Sequence, residues 1–186
     1  MQSESDYVIK ICVVGEDDVG RYSVLKCYLK DAINELDYFT TMESNFAVKD
    51  IEFRPEQSET VVMLKVHFWY FTDFTDTSRD SDDLRRFFNN ASGVLLIFDL
   101  TRPETLFTIP GWIETVFDLA GPLIPVILIG NKSDLLIAVD ETEVESISER
   151  YGLPYCYTSA KLNEEIDEVF KALVSLAYQY RSTREC

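Results

Sequence analysis

Two stretches of this chain run apolar without a break, residues 93–98 (GVLLIF) and 125–129 (PVILI), and a third, 7–14 (YVIKICVV), is interrupted only by Lys10. A strand with no polar face is buried on both sides, so its sheet needs a layer of helices above and another below. Apolar residues at helical spacing supply those layers. They predict helices over 24–36 (Val24, Leu25, Tyr28, Leu29, Ala32, Ile33), 104–119 (Trp112, Ile113, Val116, Phe117), 141–151 and 163–180, with a short one at 84–90. Residues 46–53 and 60–71 read as two strands joined by the polar turn 54–58 (RPEQS), hence a hairpin. Residues 154–157 read as a short strand, and the acidic, Thr- and Ser-rich stretch 73–83 as a loop. The expected fold class is α/β: three layers around a mostly parallel six-stranded sheet with one antiparallel edge strand. No repeat or linker divides the chain, so one domain spanning 1–186 is expected. Ligands of such sheets bind at the carboxyl ends of the strands.

Composition narrows the function. Of 186 residues, 46% are hydrophobic and 27% charged, an ordinary balance for a soluble globular protein. The net charge of −16 repels phosphates, so nucleic acid is not an expected partner. No apolar run reaches the ~18 residues of a membrane span. The acidic start MQSESD lacks the order of a signal peptide. Cys12, Cys27, Cys156 and Cys186 are too scattered for a metal knuckle or redox pair. Cys12 reads as a small core residue, His67 as structural. Thiols without a secretion signal imply a cytoplasmic setting.

Two polar motifs follow buried strands. Asn131-Lys132-Ser133-Asp134 comes after 125–129, and Ser159-Ala160-Lys161 comes after 154–157. A carboxylate at Asp134 can accept two hydrogen bonds, from the N1–H and the exocyclic amine of guanine; adenine has no such donor pair. In these motifs the chain resembles the Ras-like small GTPases, closest to the Rab family. The resemblance extends to 91–101 (ASGVLLIFDLT), Trp112, Gly152-Leu153-Pro154-Tyr155 and Glu168-Val169-Phe170. It covers nearly the whole chain and is strongest over 87–177. It implies a P-loop G domain that binds GTP or GDP. At the base end the implied residues are Asn131, Lys132 (its stem over the base), Asp134, Ser159, Ala160 (its N–H toward the keto oxygen) and Lys161. At the phosphate end they are Gly15, Asp18, Val19, Gly20, Arg21, Tyr22 and Ser23. Thr40 and Thr41 are the switch I candidates. The aromatic that would stack on guanine falls near Asn34, Tyr38 and Phe39.

The phosphate end departs from the family pattern GxxxxGK followed by Ser or Thr. Gly15 and Gly20 are kept, so backbone N–H groups and a helix N-terminus can face a phosphate. Arg21 replaces the lysine, and its planar fork is not interchangeable with an ammonium. Tyr22 replaces the magnesium-binding hydroxyl, and a phenol oxygen projects too far for a strict octahedral shell. Ser23 comes one residue late. Asp17 and Asp18 bring carboxylates toward a polyphosphate. In place of WDTAGQE stands Trp69-Tyr70-Phe71-Thr72-Asp73, and no glycine occurs between Gly20 and Gly93. The glutamine that orients water is missing too. Asp73 and Asp76 are the candidates to replace the lost aspartate.

The expectation is therefore a divergent Rab-like protein that retains base recognition, with weak or absent magnesium binding and very slow or absent GTP hydrolysis. No catalytic residue or metal ligand is assigned. Protein effectors or regulators in membrane traffic or signalling are the implied partners. The alternative is a pseudo-GTPase scaffold with no nucleotide. Cys186 is a single terminal cysteine and not a CaaX box, so a site peripheral to membranes stays open.

Overall fold

The computed structural model describes residues 7–30, 39–40, 44–55, 60–71 and 82–184. In chain order the elements are β1 (Tyr7–Gly15), α1 (Arg21–Tyr28), β2 (Phe39–Thr40), β3 (Ser44–Phe53), β4 (Val62–Phe71), α2 (Asp82–Phe88) and β5 (Gly93–Asp99). There follow α3 (Pro103–Phe107), α4 (Ile109–Ala120), β6 (Val126–Asn131), α5 (Glu141–Tyr151), β7 (Tyr155–Tyr157) and α6 (Ile166–Ser182). The strands form one sheet in the order β2-β3-β4-β1-β5-β6-β7. Five of them pair in parallel, and β3 runs against β4 in the expected hairpin. The sheet is thus the expected six strands with one antiparallel member, plus the two-residue β2 outside β3.

The apolar runs behave as their lack of polarity requires. Every residue of β5 and β6 is buried. Side chains alternate across the sheet. Ile9, Ile11, Val13, Leu95 and Ile97 join one core with Val24, Leu25, Phe170 and Leu173 of α1 and α6. Cys12, Val14, Leu96 and Phe98 join the other with Leu106, Trp112, Ile113 and Val144 of α3, α4 and α5. Cys12 is fully buried, and burial pushes its thiol up to about 12, in keeping with an inert core residue. His67 lies in β4, its ring stacked 6.2 Å from Phe46, and burial lowers its pKa.

Three helices differ from the periodicity reading, each for a backbone reason. The single helix expected over 104–119 is two, separated at Thr108. Pro110 has no N–H to offer Leu106, and its ring crowds that carbonyl. The last helix starts at Ile166 and not at 163, because Asn163 and Glu165 adopt left-handed φ of 60° and 59°. The first begins at Arg21, directly behind Gly20, and its described helical residues end at Tyr28. The expected continuation to 36 lies outside the described residues. Helix α5 has the expected bounds: Asp140 caps its start by accepting from the Thr142 N–H at 3.0 Å, and Gly152 ends it at φ 65°.

No helix among the described residues is long and apolar enough to cross a membrane. The loops after β1, β5, β6 and β7 gather at one end of the sheet, since Gly15 pairs beside Ile97, Asp99 beside Asn131 and Gly130 beside Tyr157.

Phe170 anchors α6 to this sheet. It is fully buried, stacked 4.1 Å from Tyr28 and edge-on to Phe68 at 5.5 Å. Phe170→Ala leaves a cavity that no neighbour can fill and is expected to cost about 3–5 kcal/mol, read as a lower urea midpoint at unchanged m-value.

Candidate nucleotide-binding site

Strand β6 delivers Asn131, 2% exposed, to the centre of the loop cluster. Its Nδ2 donates to the Val19 carbonyl at 2.9 Å. Its Oδ1 accepts from the Ala160 N–H at 3.2 Å and from the Thr158 hydroxyl at 3.4 Å. One side chain thus joins the loops after β1, β6 and β7. The Ala160 N–H, expected to meet the keto oxygen of a base, is engaged by Asn131, so a ligand there shares it.

Lys132 has a left-handed φ of 68°. Its Nζ donates to the Asp18 carbonyl at 2.7 Å and lies 2.7 Å from Asp99 Oδ2. The ammonium is anchored below, and the residue forms part of the cleft wall. Asp134 points into the cluster with its side chain 6% exposed. Oδ1 accepts from the Ser159 hydroxyl at 2.7 Å, whereas Oδ2 is buried, 3.3 Å from Lys161 Nζ, and accepts no hydrogen bond. The Ser159 hydrogen bond, against a smaller opposing push from burial and with help from Lys161, holds Asp134 below the usual carboxylate range. It is an ionised acceptor at neutral pH.

These residues border a cleft of about 700 Å³, which also takes in Gly20, Tyr22, Ser23, Lys26, Cys27, Lys30 and Leu135. An ionised carboxylate bordering a cleft of that size fits an amino-imide edge such as that of guanine. A second cleft of about 510 Å³ adjoins it, lined by Asp18, Gly20, Arg21, Tyr22, Ser23, Tyr70 and Lys132.

The loop between β1 and α1 takes its shape from its glycines. Gly15 has φ 151° and Gly20 φ 97°, and a Cβ would strike the Ile97 carbonyl at the first and the Asn131 amide at the second. Val19 is buried, and the loop is braced from outside. Arg102 Nη2 donates to the Asp17 carbonyl at 2.8 Å, and the Trp112 indole to Glu16 at 3.2 Å. Arg21 turns back onto Asp17, Nη2 to Oδ1 2.7 Å. This pairing changes the expected electrostatics: the Asp17 charge is matched within the loop, and of the two aspartates only Asp18 borders the smaller cleft. Tyr22 is 44% exposed, its ring 5.9 Å from that of Tyr70. Thr40 closes β2, whereas Thr41, Asp73 and Asp76 lie outside the described residues.

Sequence reasoning missed Asp99. It is fully buried at the end of β5. It accepts from the Thr101 N–H at 2.9 Å, the Thr101 hydroxyl at 2.7 Å and Arg102 Nε at 2.9 Å, besides its ion pair with Lys132. Burial pushes its pKa up, but the hydrogen bonds from Lys132, Thr101 and Arg102 outweigh this and hold it at about 2. The available signal was a lone charge ending an apolar strand.

Sheet order, loop cluster and a carboxylate bordering the cleft define an α/β domain suited to a nucleotide at its strand ends. Comparison with known proteins supports the same class. The Ras family model matches residues 10–179. Ras-related protein YPT3 of Nicotiana plumbaginifolia is 30% identical over 183 residues, covering 97% of this chain and 79% of that one. Ras-related protein Rab-27A of Rattus norvegicus is 32% identical over 178 residues, 92% of this chain and 79% of the other. Ras-related protein SEC4 of Saccharomyces cerevisiae is 26% identical over 172 residues, 92% and 75% respectively. The chain belongs to the Ras family and is a Rab/Ras-like small GTPase. Members of that family bind GTP or GDP with magnesium and act in trafficking or signalling through protein effectors and regulators.

Asp99 generates a prediction about acid stability. Its folded pKa of about 2 lies below its ordinary value of 3.8, so its contribution is fully present above about pH 4 and is lost as pH falls through about 2. Asp99→Asn should flatten the loss of stability across that window. At neutral pH it should cost about 2–3 kcal/mol, less than the ~3–5 of a fully buried pair, because Arg102 and Lys132 are 35% and 30% exposed. Urea unfolding at a series of pH values reads both effects.

Proposed function

We propose that residues 1–186 form one domain that binds guanine nucleotide with its base recognition intact, holds magnesium weakly or not at all, and hydrolyses GTP very slowly or not at all. The carrying observation is Asp134: an ionised carboxylate bordering the cleft, oriented by Ser159 and paired with Lys161. The base-binding set is Asn131, Lys132, Asp134, Ser159, Ala160 and Lys161. Asn131 and Lys132 act mainly by positioning the loop 16–20. The phosphate-binding set is Gly15, Asp18, Val19, Gly20, Arg21, Tyr22 and Ser23. Backbone N–H groups at the start of α1 are its donors. Thr40 and Thr41 remain the switch I candidates.

The residues present do not fit the family's magnesium mode. A phenol at Tyr22 stands where a short hydroxyl is needed, and Tyr70 follows Trp69 where the family has its aspartate. Magnesium demands oxygens at about 2.0–2.1 Å in near-ideal octahedral array. The likeness to Rab proteins supports a role in membrane traffic or signalling through protein partners. A second reading, a scaffold without nucleotide, is favoured by one observation. Arg21, the cation at the phosphate position, is already engaged by Asp17.

Equilibrium dialysis with labelled GTP, GDP and ATP, in magnesium and in EDTA, separates these readings. Retention of GTP and GDP but not ATP is expected, along with no phosphate release in a single-turnover assay. No retention at high protein concentration would favour the scaffold, and equal retention of ATP would refute base recognition. Asp134→Asn exchanges one acceptor for a donor. It should weaken GDP binding by about 3 kcal/mol, roughly 100-fold, and favour xanthosine diphosphate, whose 2-keto group accepts.

A further inference from the structure

The chain carries a net charge of −16, yet the face of α1 that borders the larger cleft is basic. Tyr22 and Lys26 lie one turn apart on that face, Lys30 follows just past the end of the helix, and all three are exposed. The other two lysines of the cleft are already matched, Lys132 by Asp99 and Lys161 by Asp134. Among the described residues, Lys26 and Lys30 have no carboxylate partner. Lys26 Nζ lies instead 5.7 Å from the centre of the Tyr22 ring. Tyr22 borders both clefts, and Lys26 borders the larger one. The Tyr22 ring is also 5.9 Å from that of Tyr70, which is buried.

Two aromatic rings thus occupy the two sequence positions from which the family supplies oxygens to a metal, and a cation rests against one of them. A ring face attracts an ammonium by its quadrupole. The arrangement holds Lys26 near the cleft, and no carboxylate among the described residues pairs with it. We propose that Lys26, seated over Tyr22, takes the place of the divalent cation as charge partner of the ligand's phosphates. Guanine nucleotide binding in this chain is then independent of magnesium. This rests on the reading that Asp134 grips the base, and it goes further in naming what neutralises the other end of the ligand.

The test compares guanosine, which has no phosphate, with GDP, by dialysis against the full chain in EDTA and in magnesium. Wild type should bind GDP equally in both. Lys26→Met keeps the aliphatic stem and loses the charge. Since Lys26 is exposed, the variant is expected to fold, and a circular dichroism melt verifies it. GDP affinity should fall about tenfold in the variant, with guanosine affinity unchanged. Lys26→Arg should restore most of the loss. A GDP affinity in wild type that drops tenfold or more when EDTA replaces magnesium would overturn the proposal, and so would an unchanged GDP-to-guanosine ratio in Lys26→Met. In either case bound guanosine would leave the base-binding reading standing. Failure of wild type to bind guanosine or GDP would remove both.

Discussion

The loop cluster at the strand ends hangs on one buried charge. Asp99 sits at the end of a strand with no polar face, at 0% exposure, and carries its charge there only because Lys132, Thr101 and Arg102 supply donors. An isolated carboxylate in that position would be too costly to keep ionised. The need for partners fixes where they go. Lys132 must reach inward, and in doing so it takes hold of the Asp18 carbonyl; Arg102 does the same for the Asp17 carbonyl. The loop after β1 is therefore held from two neighbouring loops by the residues that satisfy Asp99. Asn131 adds a third tie through Val19 and a fourth through Ala160.

This bracing makes the two ends of the site unequal. The base end is a closed polar network in which Asn131 ties Val19 to Ala160 and Asp134 is held by Ser159 and Lys161. The phosphate end is aromatic and cationic. The rings of Tyr22 and Tyr70 lie 5.9 Å apart there, and Arg21 is matched by Asp17. Recognition of a base needs fixed acceptors, and Asp134 is held in place by Ser159 and Lys161. Phosphoryl transfer needs charge neutralisation and a positioned water, and no described residue supplies the second.

Much of this was legible in the chain itself. The uninterrupted runs 93–98 and 125–129 are compatible only with burial on both faces, and the parallel sheet follows. The two polar motifs after β6 and β7 could be assigned by type and order, because a guanine edge calls for a carboxylate and an adenine edge does not. Helix bounds were less legible where local backbone geometry overrides periodicity, as at Pro110 and at the left-handed Asn163 and Glu165. Apolar spacing reports which face is buried and says nothing about where the backbone can hydrogen-bond.

The sequence by itself determined the layered α/β fold, the candidate base-recognition residues and the presence of Arg21 and Tyr22 behind Gly20, because each depends on residue type at a position along one strand or loop. Only the tertiary structure decided how the charges pair. That Lys132 answers Asp99, that Arg21 is taken by Asp17, that Ala160 serves Asn131, and that Lys26 rests on Tyr22 are facts of distance. Electrostatic and hydrogen-bond energies depend on separation and burial, and residues far apart in the chain acquire both only when the sheet brings its strand ends together.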